Sequence, residues 1–421
     1  MHQQIAPTDM DCLTGKSRNF AHVITESKPC LDAGEMAGLM TVRGRSGRAI
    51  GWSKDPLNTR REVIDFVRCS YLGLDNHPVI VAGAIEAIEA QRSLHGSYAR
   101  TRLDFDLLGE LEGLLSELFR ARVLAFSSDM LANLGAIAIL ASGQLTGGRK
   151  PVVVFDHSVH ISLAYQKPVV AQETRVETLA HNDVEALERL CREHPAVAYI
   201  CDGVYSMGGH LPVKELRHLQ EHYGLFLYIN DAHGISIFGC QGEGFARSQL
   251  PQVLDERTII AASLSKGFGA SGGVLMLGAA DHEALLRGQS IPDAFSAAPD
   301  LVAIGAALGS CKIHRSAELC QRQRRLAQRV DIFDRRVATA EQGNLLPIRT
   351  ITIGSEANAI AIARGLLDCG FYTLATFFPR QRSAGIQVCI TAEHEVRDIE
   401  RLCDCILKKA AETTGKPYPL R

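Results

Sequence analysis

The sequence predicts an α/β protein: a large domain whose mainly parallel central sheet is covered by helices, followed by a small C-terminal α/β domain. Three observations carry this reading. Apolar runs without polar alternation recur at 152–155, 198–201, 225–229, 258–262 and 273–277, and strands of that kind are buried on both faces, as parallel strands are. Helical patterns at 183–193 and 213–223 separate several of them, which is the alternation a covered parallel sheet requires. Near Pro299 the pattern changes to long helical segments and then to short strands alternating with helices.

Taken in order, residues 1–62 read as an irregular N-terminal arm, punctuated by Arg43-Gly44-Arg45-Ser46-Gly47-Arg48, which packs on another surface or stays partly mobile. The large domain is expected over 63–298. Within it Leu107, Leu108, Leu111, Leu114, Leu115 and Leu118 recur at helical spacing, and 132–141 forms a second helix. The small domain is expected over 299–421. It opens with helix from Leu301 to about Ala340, whose Arg322, Arg324, Arg325, Arg329, Arg335 and Arg336 read as a solvated face. Strands are expected at 349–353, 372–378 and 386–391, with helices at 357–368 and 395–407.

Composition narrows the function. The 421 residues are 46% hydrophobic and 22% charged, with a net charge of -2. That balance provides no electrostatic footprint for nucleic acid or a membrane surface. No apolar run has the length of a membrane helix, and the first 30 residues carry no signal-peptide core. Twelve cysteines without C-x-x-C pairs read as reduced thiols in a cytoplasmic protein.

The most informative residue is Lys266, in Ala262-Ser263-Leu264-Ser265-Lys266-Gly267-Phe268-Gly269. A lysine at the end of a buried strand is partly desolvated, which lowers its pKa and suits it to capturing an aldehyde. Pyridoxal 5'-phosphate (PLP) is the cofactor such lysines usually hold. Upstream, Asn230-Asp231-Ala232-His233-Gly234 and Asp202-Gly203-Val204-Tyr205-Ser206-Met207 also follow apolar runs. Three successive strand ends thus carry polar residues, and in open α/β sheets ligands bind at strand ends.

From Tyr71-Leu72-Gly73-Leu74-Asp75-Asn76-His77-Pro78 to Thr391-Ala392-Glu393-His394, these motifs in this order resemble the α-oxoamine synthases, fold-type-I PLP-dependent transferases. The resemblance implies a homodimer with active sites shared between subunits, which condenses an amine with an acyl thioester on coenzyme A or a carrier protein, usually losing carbon dioxide. It implies that Lys266 is the Schiff-base lysine and that His160, in Asp156-His157-Ser158-Val159-His160, stacks on the pyridine ring. It sets His233 and Ser206 near the ring hydroxyl, and places Asp202, Asn230 and Ser263 among the cofactor contacts. Ser128-Asp129-Met130 falls where relatives cradle the phosphate with backbone amides at a helix N-terminus, a ready anion site. Ser296 falls where the partner subunit reaches the phosphate, the usual threonine being Ala297.

Two departures stand out. The family's first aspartate, the partner of the ring nitrogen, is Asn230 here, which lacks the negative charge that stabilises a pyridinium. Asp231 compensates only if the strand register differs. The residues that hold an amino-acid carboxylate, normally Asn and Arg, are Cys69 and Gln387, and a neutral amide is a poor substitute for arginine's fork. Arg100 fits the arginine of an otherwise altered glycine-rich stretch. The expected activity is therefore PLP-dependent acyl transfer with unusual amine and acyl specificity. Three alternatives stand beside it: Claisen- or aldol-type chemistry on an amine without a free carboxylate, an aminoketone autoinducer-type synthase, and a non-catalytic partner subunit.

Two motif matches carry no weight. His218-Leu219-Gln220-Glu221-His222 fits H-x-x-E-H but lies on an ordinary helix, and no metal is expected. The G-x-G-x-x-G of 267–272 is followed by a strand pattern, where a dinucleotide site needs a helix.

Overall fold

The protein is described by a computed structural model, which covers residues 28, 31–39, 43–45, 50–54, 60–96, 100, 106–206, 209–376 and 384–416. Most of the expected arm, Met207, and residues 97–99 and 377–383 lie outside the described residues. The described chain forms two compact units, one of residues 78–205 and 210–316, the other of residues up to 77, 206–209 and 317 onward.

The first unit is built on a seven-stranded sheet in the order Arg122–Phe126, Gly273–Leu277, Thr258–Ser263, Phe226–Asn230, Val197–Asp202, Val152–Asp156, Val176–Leu179. Six of these strands run in one direction, five of them as parallel neighbours; Gly273–Leu277 is antiparallel to both of its neighbours. The strands 152–156, 197–202, 226–230 and 258–263 are buried at every position, which explains their unbroken apolar runs. Alternate side chains feed two cores, one on each face. Val154, Tyr199, Leu227 and Ile260 pack with the leucines of the helix Asp106–Phe119, and Val153, Ile200, Tyr228 and Ile259 pack with the helix Asp129–Ala141. At about 25 cal/mol per Å² of apolar surface, each fully buried Leu or Ile contributes roughly 1.5–3 kcal/mol.

The second unit holds two small sheets. Arg43–Arg45, Ile50–Lys54 and Arg60–Asp65 form an antiparallel meander, to which Phe371–Tyr372 adds in parallel. Ile348–Gly354, Ala384–Cys389 and Leu374–Thr376 form an antiparallel sheet. The helix Glu356–Asp368 packs on this sheet and on the helix Val396–Thr414. The fully buried Arg349 is held by Asp334, with Nε 2.6 Å and Nη2 2.8 Å from the carboxylate.

The structure corrects four expectations. Within 1–62 the described residues include strands, whose runs of three to six residues are too short for a period to show. The boundary expected at 298/299 lies instead after Ser316, because the helix Leu301–His314 packs along Pro78–Gln91 and Asp106–Phe119. The helix expected from 301 to 340 is two, Leu301–His314 and Ala317–Asp334. The arginine-rich face of the second is not wholly solvated. Arg322 Nη1 donates to the carbonyl of Leu72 at 2.9 Å and Arg329 Nε to that of His394 at 2.8 Å.

Candidate active site at the strand ends

Lys266 lies in the loop joining Thr258–Ser263 to its antiparallel neighbour Gly273–Leu277. Three backbone bonds close that loop: Leu264 N to Gly272 O (3.0 Å), Ala270 N to Leu264 O (2.9 Å) and Gly269 N to Lys266 O (3.0 Å). Ser263 Oγ accepts from the amide of Ser265 at 3.2 Å, so this side chain shapes the loop itself. Lys266 is half-buried, and its Nζ lies 3.0 Å from Nε2 of His233. Burial first, then the charges of Lys266 and His160, hold His233 well below the ordinary histidine pKa.

The neighbouring strand ends converge on the same place. Asp202 and Asn230 are register partners on adjacent parallel strands. Asp202 Oδ2 accepts the backbone amide of His160 at 2.9 Å, which fixes that residue at the start of the short helix Ile161–Ala164. His160 Nδ1 lies 2.9 Å from Ser162 Oγ and accepts from the Ser162 amide at 3.3 Å. Nδ1 is therefore unprotonated, and the neutral ring carries its proton on Nε2. Partial burial and then Lys266 lower the pKa of His160, while Asp129 opposes the shift. The residue itself is exposed.

Ser128 caps the helix Asp129–Ala141, its Oγ accepting from Leu131 N at 3.3 Å. The first amides of this helix are among those that helices leave without an internal partner, which makes the terminus a cradle for an anion. A Cβ on Gly273 would lie 2.3 Å from the amide nitrogen of Asp129, so only glycine lets the strand approach this turn. Met130 is exposed beside it. The Asp129 side chain turns to the sheet, where Oδ2 accepts from Asn230 Nδ2 at 2.9 Å. Asn230 Oδ1 accepts in turn from Ala232 N at 3.0 Å. Oδ1 of Asp129 and Oδ1 of Asp202 are both buried without a well-formed hydrogen bond. Burial raises the pKa of Asp129 and pushes that of Asp202 well above the usual carboxyl range.

Asp231 does not take the place of the missing aspartate. Its Oδ2 accepts from Ala246 N at 2.9 Å, and Cβ atoms on Gly203 and Gly234 would lie 2.3 and 2.1 Å from its Oδ1. The strand register turns it away from Asn230, and it braces the following turn. Arg100 is buried, with Nη1 and Nη2 each 2.7 Å from Glu112, a carboxylate that also binds Arg287 at 2.8 Å. Its fork is filled by a structural partner. Ser296 ends the short helix Ile291–Phe295 and is half-buried. In the second unit Gln387 Nε2 donates to the carbonyl of Ser206 at 3.2 Å, and Cys69 Sγ lies 3.9 Å from Val67 O.

A polar chain behind His160 was not foreseen from sequence. Tyr228 OH donates to Asn133 Oδ1 at 2.8 Å, and Asn133 Nδ2 donates to Ser162 Oγ at 3.2 Å. The available signal was a single asparagine in an otherwise apolar helix. The rings of His218 and His222 lie 4.0 Å apart, tilted by 38°, on the helix Val213–Tyr223, and among the described residues no group of three ligating side chains is assembled. Nor is any described helix long and apolar enough to cross a membrane.

A family model for class I and II aminotransferases matches residues 61–406. The 8-amino-7-oxononanoate synthase of Maricaulis maris is 30% identical over 384 residues, 88% of this chain and 93% of that one. The chain belongs to the α-oxoamine synthase family. It is thus an enzyme of a family of PLP-dependent C-acyltransferases with the type I fold. Among solved structures, one of SPT with PLP superposes with a TM-score of 0.81 at 21% identity, over 94% of this chain and 98% of that one. The serine palmitoyltransferase of Sphingomonas wittichii gives 0.79 at 21% identity, over 94% and 100%.

Proposed function

We propose that this α-oxoamine synthase-family chain joins an amino acid or related amine to an acyl thioester, releasing free thiol and, when the amine carries a carboxylate, carbon dioxide. The new bond links the amine-bearing carbon to the acyl carbon as the carbon–sulfur bond breaks. The observation that carries this reading is the 3.0 Å contact between Lys266 Nζ and His233 Nε2 at converging strand ends, with His160, Asp129 and Asp202 electrostatically linked to the same lysine.

The residues present fit PLP. Lys266 would hold its aldehyde carbon, the amides at the start of the helix Asp129–Ala141 its phosphate, and the His160 ring one face of its pyridine. When bound, the cofactor supplies an electron sink for a carbanion at the carbon bearing the amine. Lys266 Nζ, next to the neutral His233, would take or return a proton at the carbon bearing the amine. His160, neutral with its proton on Nε2, presents a donor to the acyl oxygen as charge builds there. Asp202 keeps that imidazole in place through its backbone.

Several exposed apolar side chains of the first unit, among them Met130, Ile161, Tyr165, Ile291 and Phe295, support a second copy of the chain as partner. Ser296, next to Phe295, would then serve the partner's phosphate. The neutral pair Cys69 and Gln387 supports an amine whose carboxylate is absent or masked, because neither offers a fixed positive charge.

The test is twofold. PLP added to the purified protein should give a visible absorbance that borohydride fixes on Lys266, and Lys266→Ala should remove it. A panel of amines offered with acyl-coenzyme A and acyl-carrier-protein thioesters should then show amine-dependent release of thiol. Colour that persists in Lys266→Ala, or no thiol release with any pair, would overturn the reading.

A further inference from the structure

Resting on the reading of this site as a PLP pocket, we propose that Asp129 is the carboxylate that accepts the hydrogen bond of the cofactor's protonated pyridine nitrogen, with Asn230 as its positioning residue. The charge missing from the strand end is supplied from the neighbouring helix.

Both polar atoms of Asn230 are already engaged, Oδ1 with Ala232 N at 3.0 Å and Nδ2 with Asp129 Oδ2 at 2.9 Å. The amide therefore aims a carboxylate rather than meeting a ligand alone. Asp129 Oδ1 is buried and makes no well-formed hydrogen bond, the Asn133 side chain being near enough only to favour the charged carboxylate. A buried carboxylate oxygen calls for a donor. Of the groups on the cofactor, the phosphate is anionic and the ring oxygen is an acceptor or anion, so both repel a carboxylate. Apart from the nitrogen joined through Lys266, only the protonated ring nitrogen offers a cationic donor.

Asp129 is also the first residue of the helix whose amides suit the phosphate. A carboxylate facing that anion would oppose it, and the bond to Asn230 holds the side chain away. The close approach of Gly273 to the Asp129 amide fixes the backbone from the other side. The two other acids are otherwise committed. Asp231 is turned into the following turn, and Asp202, whose Oδ1 is also unpartnered, gives its Oδ2 to the amide of His160. Burial pushes the pKa of Asp202 well above the usual carboxyl range.

The experiment loads the full-length protein with PLP carrying ¹⁵N in its ring and reads the nitrogen shift by NMR. Borohydride fixation on Lys266 is scored separately in every variant. Wild type should show a protonated nitrogen, Asp129→Asn a shift to the unprotonated position, and Asp202→Asn a wild-type signal. In the Asp129→Gly chain, adding Asn230→Asp should restore protonation by returning the charge to the strand end. If Asp129→Asn loads poorly, that double variant against Asp129→Gly decides. A protonated nitrogen in Asp129→Asn or Asp129→Gly with the cofactor fixed on Lys266 would overturn the assignment alone. No fixation in wild type would instead overturn the pocket reading on which it rests.

Discussion

Nζ of Lys266 stands 3.0 Å from Nε2 of His233, and this contact joins the loop after one strand to the turn after the next. An ammonium has only donors, so the imidazole must accept and stay neutral. We expect an NMR titration of the cofactor-free protein to find His233 uncharged throughout the range where exposed histidines titrate. In Lys266→Ala its pKa should rise, since one of the causes holding it down is gone. A pKa unchanged by the substitution would break the link between the two.

Asp231 gives a pH signature of its own. Burial lifts its pKa to about 7 from 3.8. The folded state therefore holds this proton more tightly than the unfolded chain. Its contribution to stability is complete below the unfolded value and is lost as pH rises through about 7. The linkage is worth at most about 4 kcal/mol. Asp231→Asn should be more stable than wild type at pH 8 by roughly 1–3 kcal/mol, with the gap closing toward pH 4. Urea unfolding at a series of pH values measures it.

Two buried histidines should produce the opposite trend in acid. His314 lies 2.9 Å from both the Ser310 carbonyl and Ser236 Oγ, and His394 bonds the Thr391 amide and the Asp65 carbonyl while stacking on Phe66. Each ring is one donor and one acceptor, hence neutral. Burial lowers both pKa values from 6.5 to about 4. Their stabilisation is present above the unfolded value and is lost as pH falls from about 6.5 to 4, up to about 3 kcal/mol each. His314→Gln should weaken the protein at pH 7 and flatten its acid limb relative to wild type.

Gly273→Ala tests the turn at the head of the helix Asp129–Ala141. The new methyl would meet the Asp129 amide nitrogen at 2.3 Å, with backbone on both sides and no flexible side chain to give way. A loss of about 1–3 kcal/mol is expected from overpacking, and PLP affinity measured by absorbance titration should fall at least about tenfold, the equivalent of 1.4 kcal/mol. Unchanged affinity would argue against that terminus as the phosphate cradle.

The combined change Cys69→Asn with Gln387→Arg probes the amine. If the absence of a fixed cation defines the natural substrate, the double variant should gain turnover of a simple amino acid by about tenfold or more and lose the native amine. Thiol-release rates across the amine panel give the answer.

Much of the first unit was legible because fully buried strands leave unbroken apolar runs, and Lys266, Asn230 and Asp202 sit where those runs stop. The antiparallel run of Gly273–Leu277 was not legible. An apolar pentapeptide reads the same in either direction. Nor was the fate of Arg100, since only the fold brings Glu112 and Arg287 to it. The carboxylate of Asp129 was equally hidden. Motif order marked the backbone of 128–130, but a side chain bonded across 101 positions of sequence leaves no local trace.

The reversed strand has a consequence for how the protein is made. Among the described residues, Arg122–Phe126 finds its only sheet partner in Gly273–Leu277, about 150 residues later in the chain. A ribosome must therefore finish nearly the whole first unit before the loop carrying Lys266 can be pinned against the Ser128 turn, and pairings of such separation close slowly. A chain interrupted before Leu277 should fail to retain the vitamin. Supplying PLP during expression should raise the yield of folded protein, because a ligand that recognises only the finished cleft draws material toward it.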